Sequence, residues 1–448
     1  MPTSVKVCND SDTSPVADTT SSTGAVCKEM EEGISLRAFI AACGNSVITQ
    51  ALSIPFMFTT AGWVSFVTQA LAVCLAFVCI QMLRTSLNNE KVKEYAELKG
   101  VPKFEREYTF LGEFCAGKFG RGATTLLIFL QYFLILITNL GAMGVCAALF
   151  IPGRSSVTCI IIVSAISLLM ILLPWLKEIT SILGILAIIG IIGSMATWVG
   201  SAFAILPDSH VVDNLPVREP AFINLVTAFS LSMWTSADLP SLVSYLGSVK
   251  GASDRSVTWT LLICLILSVV YVYIIGVAGM QICDGVCDDF YPASLHSASV
   301  VPSYLKYGLY TFILLRMFSI MLVIMVPLMV ACETAVGRLL TSIKLTSGIG
   351  RLRAWRFVVR ILLVVAAALG AILVEDELAY SQAVASTLLT LCSLYLWPLW
   401  FYACIVRPAG LKLWVVYLSL VLLVAFIVIG TYTSIMGFIS RSTASESS

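Results

Sequence analysis

Apolar runs of roughly twenty residues recur along this chain from residue 37 almost to its end, and a helix of about that length crosses the hydrocarbon core of a bilayer. Hydrocarbon offers no partner to a backbone amide or carbonyl, so a chain that crosses it repeatedly must do so as helices. Counting the runs predicts eleven spans, at about 37–58, 63–85, 122–151, 155–175, 179–206, 220–246, 256–282, 303–334, 357–374, 380–406 and 411–438. The eighth is long enough to hold an interfacial turn ahead of the true span. Three joints are so short that the helices they connect must be antiparallel hairpins: Pro152 to Arg154, Leu176 to Glu178 and Pro408 to Gly410. Composition agrees. Hydrophobic residues make up 58% of the 448 and charged residues only 12%, against about 25% charged in a soluble domain. The chain reads as an all-α polytopic protein of the lipid bilayer. Its net charge of +1 points to no nucleic-acid partner.

Lysine and arginine orient the spans, because loops rich in them stay in the cytoplasm. With the N-terminus inside, the cytoplasmic loops hold eighteen of these residues and the opposite side four. The reverse orientation would invert that ratio. The expected topology is therefore N-terminus cytoplasmic and C-terminus extracytoplasmic, in the plasma membrane or a vacuolar or lysosomal membrane. Residues 1–35 are rich in Ser, Thr, Asp and Glu and read as a disordered cytoplasmic tail. Residues 36–438 form the transmembrane domain, and 439–448 a short extracytoplasmic tail. The N-terminal tail lacks the basic lead and short apolar core of a signal peptide. The sequon at Asn9 is expected to go unused on the cytoplasmic side. The tail suits either phosphorylation or the role of a spacer.

The first span carries an anomaly. Phe39 to Trp63 is apolar overall, yet Gly44, Asn45, Ser46, Thr49, Gln50 and Ser53 cluster in its middle ahead of Pro55. A lipid-facing helix does not carry so many hydrogen-bonding groups, so they face protein, water or a solute. A break near Gly44 would free backbone groups at membrane depth, as carriers do to hold substrates and ions. A kinked helix packed inside a bundle would share the composition. The sixth span repeats the pattern: Thr235, Ser236, Asp238, Pro240 and Ser241 interrupt it near its middle. Spans one and six head two sets of five, so the expected architecture is an inverted 5+5 repeat with broken helices one and six and one extra helix.

Other polar groups at membrane depth are candidates as well. Asp238 reads either as a proton carrier, as a holder of a cationic group, or as the cap of a half-helix. Arg316, inside span eight, needs a partner and is structural or coupling. Glu333, at the cytoplasmic end of that span, reads as interfacial. Span three offers Gln131, Tyr132, Thr138 and Asn139, of which Tyr132 is a candidate for substrate contact or for interhelical bonding. Gly190, Gly193, Ser194, Thr197, Gly200 and Ser201 in span five lie largely three or four apart and read as a close-packing face.

Other chemistries lack their residues. The two histidines, His210 and His296, fall in outside loops, which argues against intramembrane haem ligation, a histidine relay and zinc proteolysis. No Walker motif occurs, which argues against ATP-driven transport. No catalytic constellation lies in the spans. No cofactor is expected. Cys283 and Cys287 share an outside loop, where a disulfide, free thiols or a metal site with Asp284, Asp288 and His296 are all open.

These residues resemble the amino acid/auxin permeases, a family of eleven-span carriers. Leu52-Ser53-Ile54-Pro55-Phe56 and Ala61-Gly62-Trp63 look like that family's first-span ending. Tyr108 to Glu113 and Gly117 to Arg121 are similar to its loop before span three. Asp238-Leu239-Pro240 sits where members carry Val-Leu-Pro-Glu, and Trp397 to Tyr402 resembles its tenth-span Pro-x-Leu-x-Tyr stretch. The likeness runs from about residue 35 to 438. The usual Gly-x-Gly is replaced by Ile48 and Gln50. Asn45 resembles the position of an Asn in auxin carriers and the neutral amino-acid branch. Sodium-coupled members place a hydroxyl shortly before a Pro in span eight, whereas Leu322 to Val326 precede Pro327 here without one. Hard cations want oxygen ligands, so the resemblance implies proton rather than sodium coupling. It implies an amino-acid carrier with a midplane site. The substrate carboxylate would meet amides around Gly44, Asn45, Ser46 and Thr49, and its amine carbonyls near Ser232, Thr235 and Ser236. A non-transporting sensor, or a carrier of an amino-acid-like organic acid such as auxin, fits the same residues.

Overall fold

The computed structural model describes residues 35–47, 52–101, 106–151, 153–172, 176–205, 221–246, 249, 253–283, 287, 291–299, 301–342 and 349–445. Among them the chain is helical throughout its long segments, and the protein is an all-α polytopic membrane protein. Among the described residues, eight helices are long and apolar enough to cross a membrane. The other three expected spans hold shorter helices: the interrupted first and sixth, and Ser156–Leu172 in the fourth.

The first span is a helix over Leu36–Val47 and a second over Ile54–Ala61. The break therefore lies beyond its expected place, because helix runs through Gly44, Asn45 and Ser46 to Val47. Proline explains the position. Pro55 has no N–H to give the preceding turn and suits the first turn of a new helix, so the chain opens immediately ahead of it. Thr49 and Gln50 lie outside the described residues.

Span three belongs to a 43-residue helical element, Tyr108–Phe150, too long for one crossing. It kinks at Ala116 and Gly117, where Gly117 takes φ 61°, a left-handed backbone that favours glycine. Residues 108–115 thus form a separate segment ahead of the membrane span. Span ten contains an eleven-residue π-helical stretch, Ser386–Leu396, between α-helices Leu378–Ala385 and Trp397–Ile405.

The helices pack in matched pairs. Span one packs on seven and two on six; three on ten and five on eight; two on ten and five on seven; three on four and eight on nine. Exchanging the first five spans for the second five maps each pair onto its counterpart. Close approach needs small residues, since lipid tails supply no hydrophobic drive between helices. At Gly190 a Cβ would lie 2.7 Å from the Arg316 Cβ and 2.9 Å from the Phe312 carbonyl, so span five meets span eight there almost backbone to backbone. The close-packing face of span five is as expected. Span eleven lies at the edge and exposes Trp414, Leu418, Leu422 and Val428.

Candidate functional site

The two interrupted spans cross one another. The Leu36–Val47 half of span one packs on the second half of span six, and the Ile54–Ala61 half packs on the first half of span six. The ends of the four half-helices therefore meet at this crossing.

The break in span six is fully described. The α-helix Phe222–Trp234 ends, Thr235 to Asp238 turn, and a 3-10 helix follows over Leu239–Leu242. Pro240 cannot donate to the preceding turn, and the backbone tightens into i to i+3 bonds: Ser236 N to Met233 O at 3.0 Å, Ala237 N to Trp234 O at 2.9 Å and Leu239 N to Ser236 O at 3.1 Å. Ser232, Thr235, Ser236 and Asp238 are all buried. Burial of so many polar atoms requires donors and acceptors nearby, and spans two and three supply them. The Gln69 amide donates to Thr235 Oγ1 at 3.0 Å, Thr68 pairs with Ser232 across 3.1 Å, and the Gln131 amide donates to the Ala237 carbonyl at 2.7 Å. Oε1 of Gln131 and Oε1 of Gln69 find no partner among the described residues. The carbonyls of Ser232 and Trp234 each accept a bond, from Thr235 Oγ1 and from the Ala237 amide.

Asp238 and Arg316 come together. Arg316 is buried, beside Tyr271 of span seven and within the electrostatic reach of Asp238. A guanidinium removed from water needs a compensating negative charge, and the Asp238 carboxyl is the acid within its electrostatic reach that the structure shows. The two residues stand apart in sequence and meet only because spans six, seven and eight converge. Asp238 makes no side-chain capping bond to the turn that follows it.

Other expected residues fall elsewhere. Gly44, Asn45 and Ser46 are helical in backbone. Tyr132 is partly buried, packs against the apolar core and lies near Tyr108; its neighbour Gln131 is the span-three residue that reaches span six. Glu333 pairs with Arg360 at 2.7 Å and Arg356 at 3.6 Å, both of span nine. Gln69 and Gln382 do not stand out from sequence. Ser53 donates to Gln382 Oε1 at 2.5 Å, which ties the start of the second half of span one to span ten. The available signal was a lone glutamine in an apolar run. Cys283 and Cys287 form a disulfide, which removes both thiolates from the metal site weighed for that loop; Asp284 and Asp288 lie outside the described residues.

No family model matches the chain, and no curated protein matches it. Among solved structures, the manganese transporter of Eremococcus coleocola in complex with an aromatic bis-isothiourea substituted compound is similar at 14% identity and TM-score 0.41, over 95% of this chain and 90% of that one. A mutant of the same transporter gives 13% and 0.41 over the same shares. Likeness at this level transfers neither family nor function.

Proposed function

We propose that the protein is a secondary active transporter of amino acids, coupled to protons and working by alternating access around a site between spans one and six. The observation that carries this reading is the antiparallel crossing of two interrupted helices, the second of them broken at the buried polar turn Thr235 to Asp238. Irregular backbone at membrane depth is tolerated where it is enclosed by protein or lines a cavity, and carriers use it for ligands. The exchangeable contacts of the two halves support an inverted repeat. The resemblance to the amino acid/auxin permeases supports the substrate class.

In this reading the substrate carboxylate meets backbone amides of span one around Gly44 to Thr49. The ammonium meets the span-six turn and Oε1 of Gln131. Asp238 carries the proton. While ionised it compensates Arg316; once protonated it no longer does, so protonation and the packing of spans six and eight are linked. An N-inside, C-outside orientation is supported by the loop charges. It is also supported by the Cys283–Cys287 disulfide, which belongs on an oxidising face.

The test is tracer accumulation in reconstituted vesicles under an imposed proton gradient, with a panel of amino acids, indole-3-acetic acid and manganese. Accumulation of one or more amino acids, abolished by dissipating the gradient, is the expected result. Saturable binding without accumulation would instead establish a sensor, and uptake confined to the organic acid or to manganese would reject the substrate class.

A further inference from the structure

Two cysteines meet on the face of the bundle that holds most of the basic loop residues. The 108–115 segment packs on the Trp397–Ile405 helix, with the Tyr108 and Phe401 rings 6.1 Å apart. Cys115 lies two helical turns beyond Tyr108, and Cys404 one turn beyond Phe401, so each thiol sits on the helix face that already makes the contact. The two side chains lie near enough to act on each other electrostatically. Both are partly exposed, and Arg407 next to them is exposed. Cys43 and Cys264 form a second such pair, but Cys43 is fully enclosed. Accessibility therefore separates the two pairs.

We propose that Cys115 and Cys404 are a modification site for low-molecular-weight disulfides, which convert the pair into a reversible cross-link. The reaction balances as two exchanges. The thiolate of one cysteine attacks a disulfide reagent such as oxidised glutathione, forming a mixed disulfide and expelling one glutathione thiolate. The second cysteine then attacks the protein sulfur of that mixed disulfide and expels the other. Two protein thiols are oxidised, one reagent disulfide is reduced to two thiols, and the protons pass to the thiols released. The link joins the segment ahead of span three to the helix that follows the π-helical stretch of span ten. On the expected cytoplasmic face the pair rests reduced, in contrast to Cys283 and Cys287 on the opposite side.

The experiment uses the purified full-length protein in detergent, with no need for transport. It is treated with oxidised glutathione, blocked with N-ethylmaleimide and digested without reductant. Mass spectrometry should find a peptide joining Cys115 to Cys404 that dithiothreitol abolishes. Cys115→Ser should leave a single glutathione adduct on Cys404, and Cys404→Ser one on Cys115. The proposal is overturned if both residues in the wild type are alkylated by N-ethylmaleimide after treatment. It is equally overturned if each keeps its own stable adduct, or if either links to a different cysteine.

Discussion

Asp238 stands where three helices meet, and its neighbours set what substitution should do. If it carries the proton, Asp238→Asn leaves a side chain of equal size that cannot titrate. We expect net proton-driven accumulation to lose its pH dependence while exchange of labelled for unlabelled substrate persists. Exchange that stays pH-dependent in the variant would move the proton site elsewhere. Gln131 bonds the span-six turn. Its amide is the side-chain donor on the Ala237 carbonyl, and leaving a buried polar group short of its partner costs about 1–3 kcal/mol. Gln131→Met keeps the volume and removes the donor. The variant should be destabilised by about that free energy, melt at a lower temperature and bind substrate more weakly, and a thermal-shift titration reads the last two. An unchanged melting point with unchanged binding would show that the 3-10 turn holds without span three.

At the scale of elements, the helix Glu90–Lys99 shows how a segment between two spans is held. Asn89 caps it by accepting from the Lys91 amide at 3.1 Å, and Gly100 closes it. Lys99 pairs with Glu113 of the 108–115 segment, and Arg121 bonds the other Glu113 oxygen at 2.9 Å. The hydrogen bond from Lys99 holds the Glu113 carboxyl below the usual carboxylate range, and Glu113 in turn raises the Lys99 ammonium above its ordinary value. The contribution of Glu113 is present above the ordinary carboxylate range and is lost as pH falls through its lowered value. That of Lys99 is present below the ordinary ammonium range and is lost as pH rises through its raised value. The contact is thus strongest between the two ranges. Amide hydrogen exchange in the Glu90–Lys99 helix, corrected for intrinsic rates, should lose protection on acidification. In Glu113→Gln protection should be lower at neutral pH and show little acid dependence. Equal profiles in both proteins would mean that the cap and the buried Val92 and Ala96 hold the helix alone.

For the whole molecule the open question is the driving ion. A proton needs one carboxyl, whereas sodium must be surrounded by several oxygens. The stretch before Pro327 offers no hydroxyl, and Ser319, one helical turn before Val323, already donates to the Leu315 carbonyl at 2.7 Å. Replacing external sodium with choline should leave initial uptake unchanged. Strict sodium dependence would refute proton coupling and place an ion site in the opened stretch of span one without help from span eight.

Much of the architecture was legible in the sequence because hydrocarbon admits few solutions. Twenty apolar residues must be helix, and a proline beside a polar cluster must interrupt one, so the helical class and the two broken spans follow from local chemistry. The approach of Asp238 to Arg316 was not legible. Nor were the roles of Gln69, Gln131 and Gln382 as bonds between helices. A lone polar residue in an apolar run shows that a partner exists but not which of the other helices provides it. Even the break in span one lies several residues beyond where the sequence suggests, because glycine tolerates a helix that proline ends. Local sequence determined where the chain crosses and where it opens. Only the tertiary packing decided which opened segments and which charges face each other, because those contacts join residues tens to hundreds of positions apart and depend on the side-chain shapes that let two helices approach.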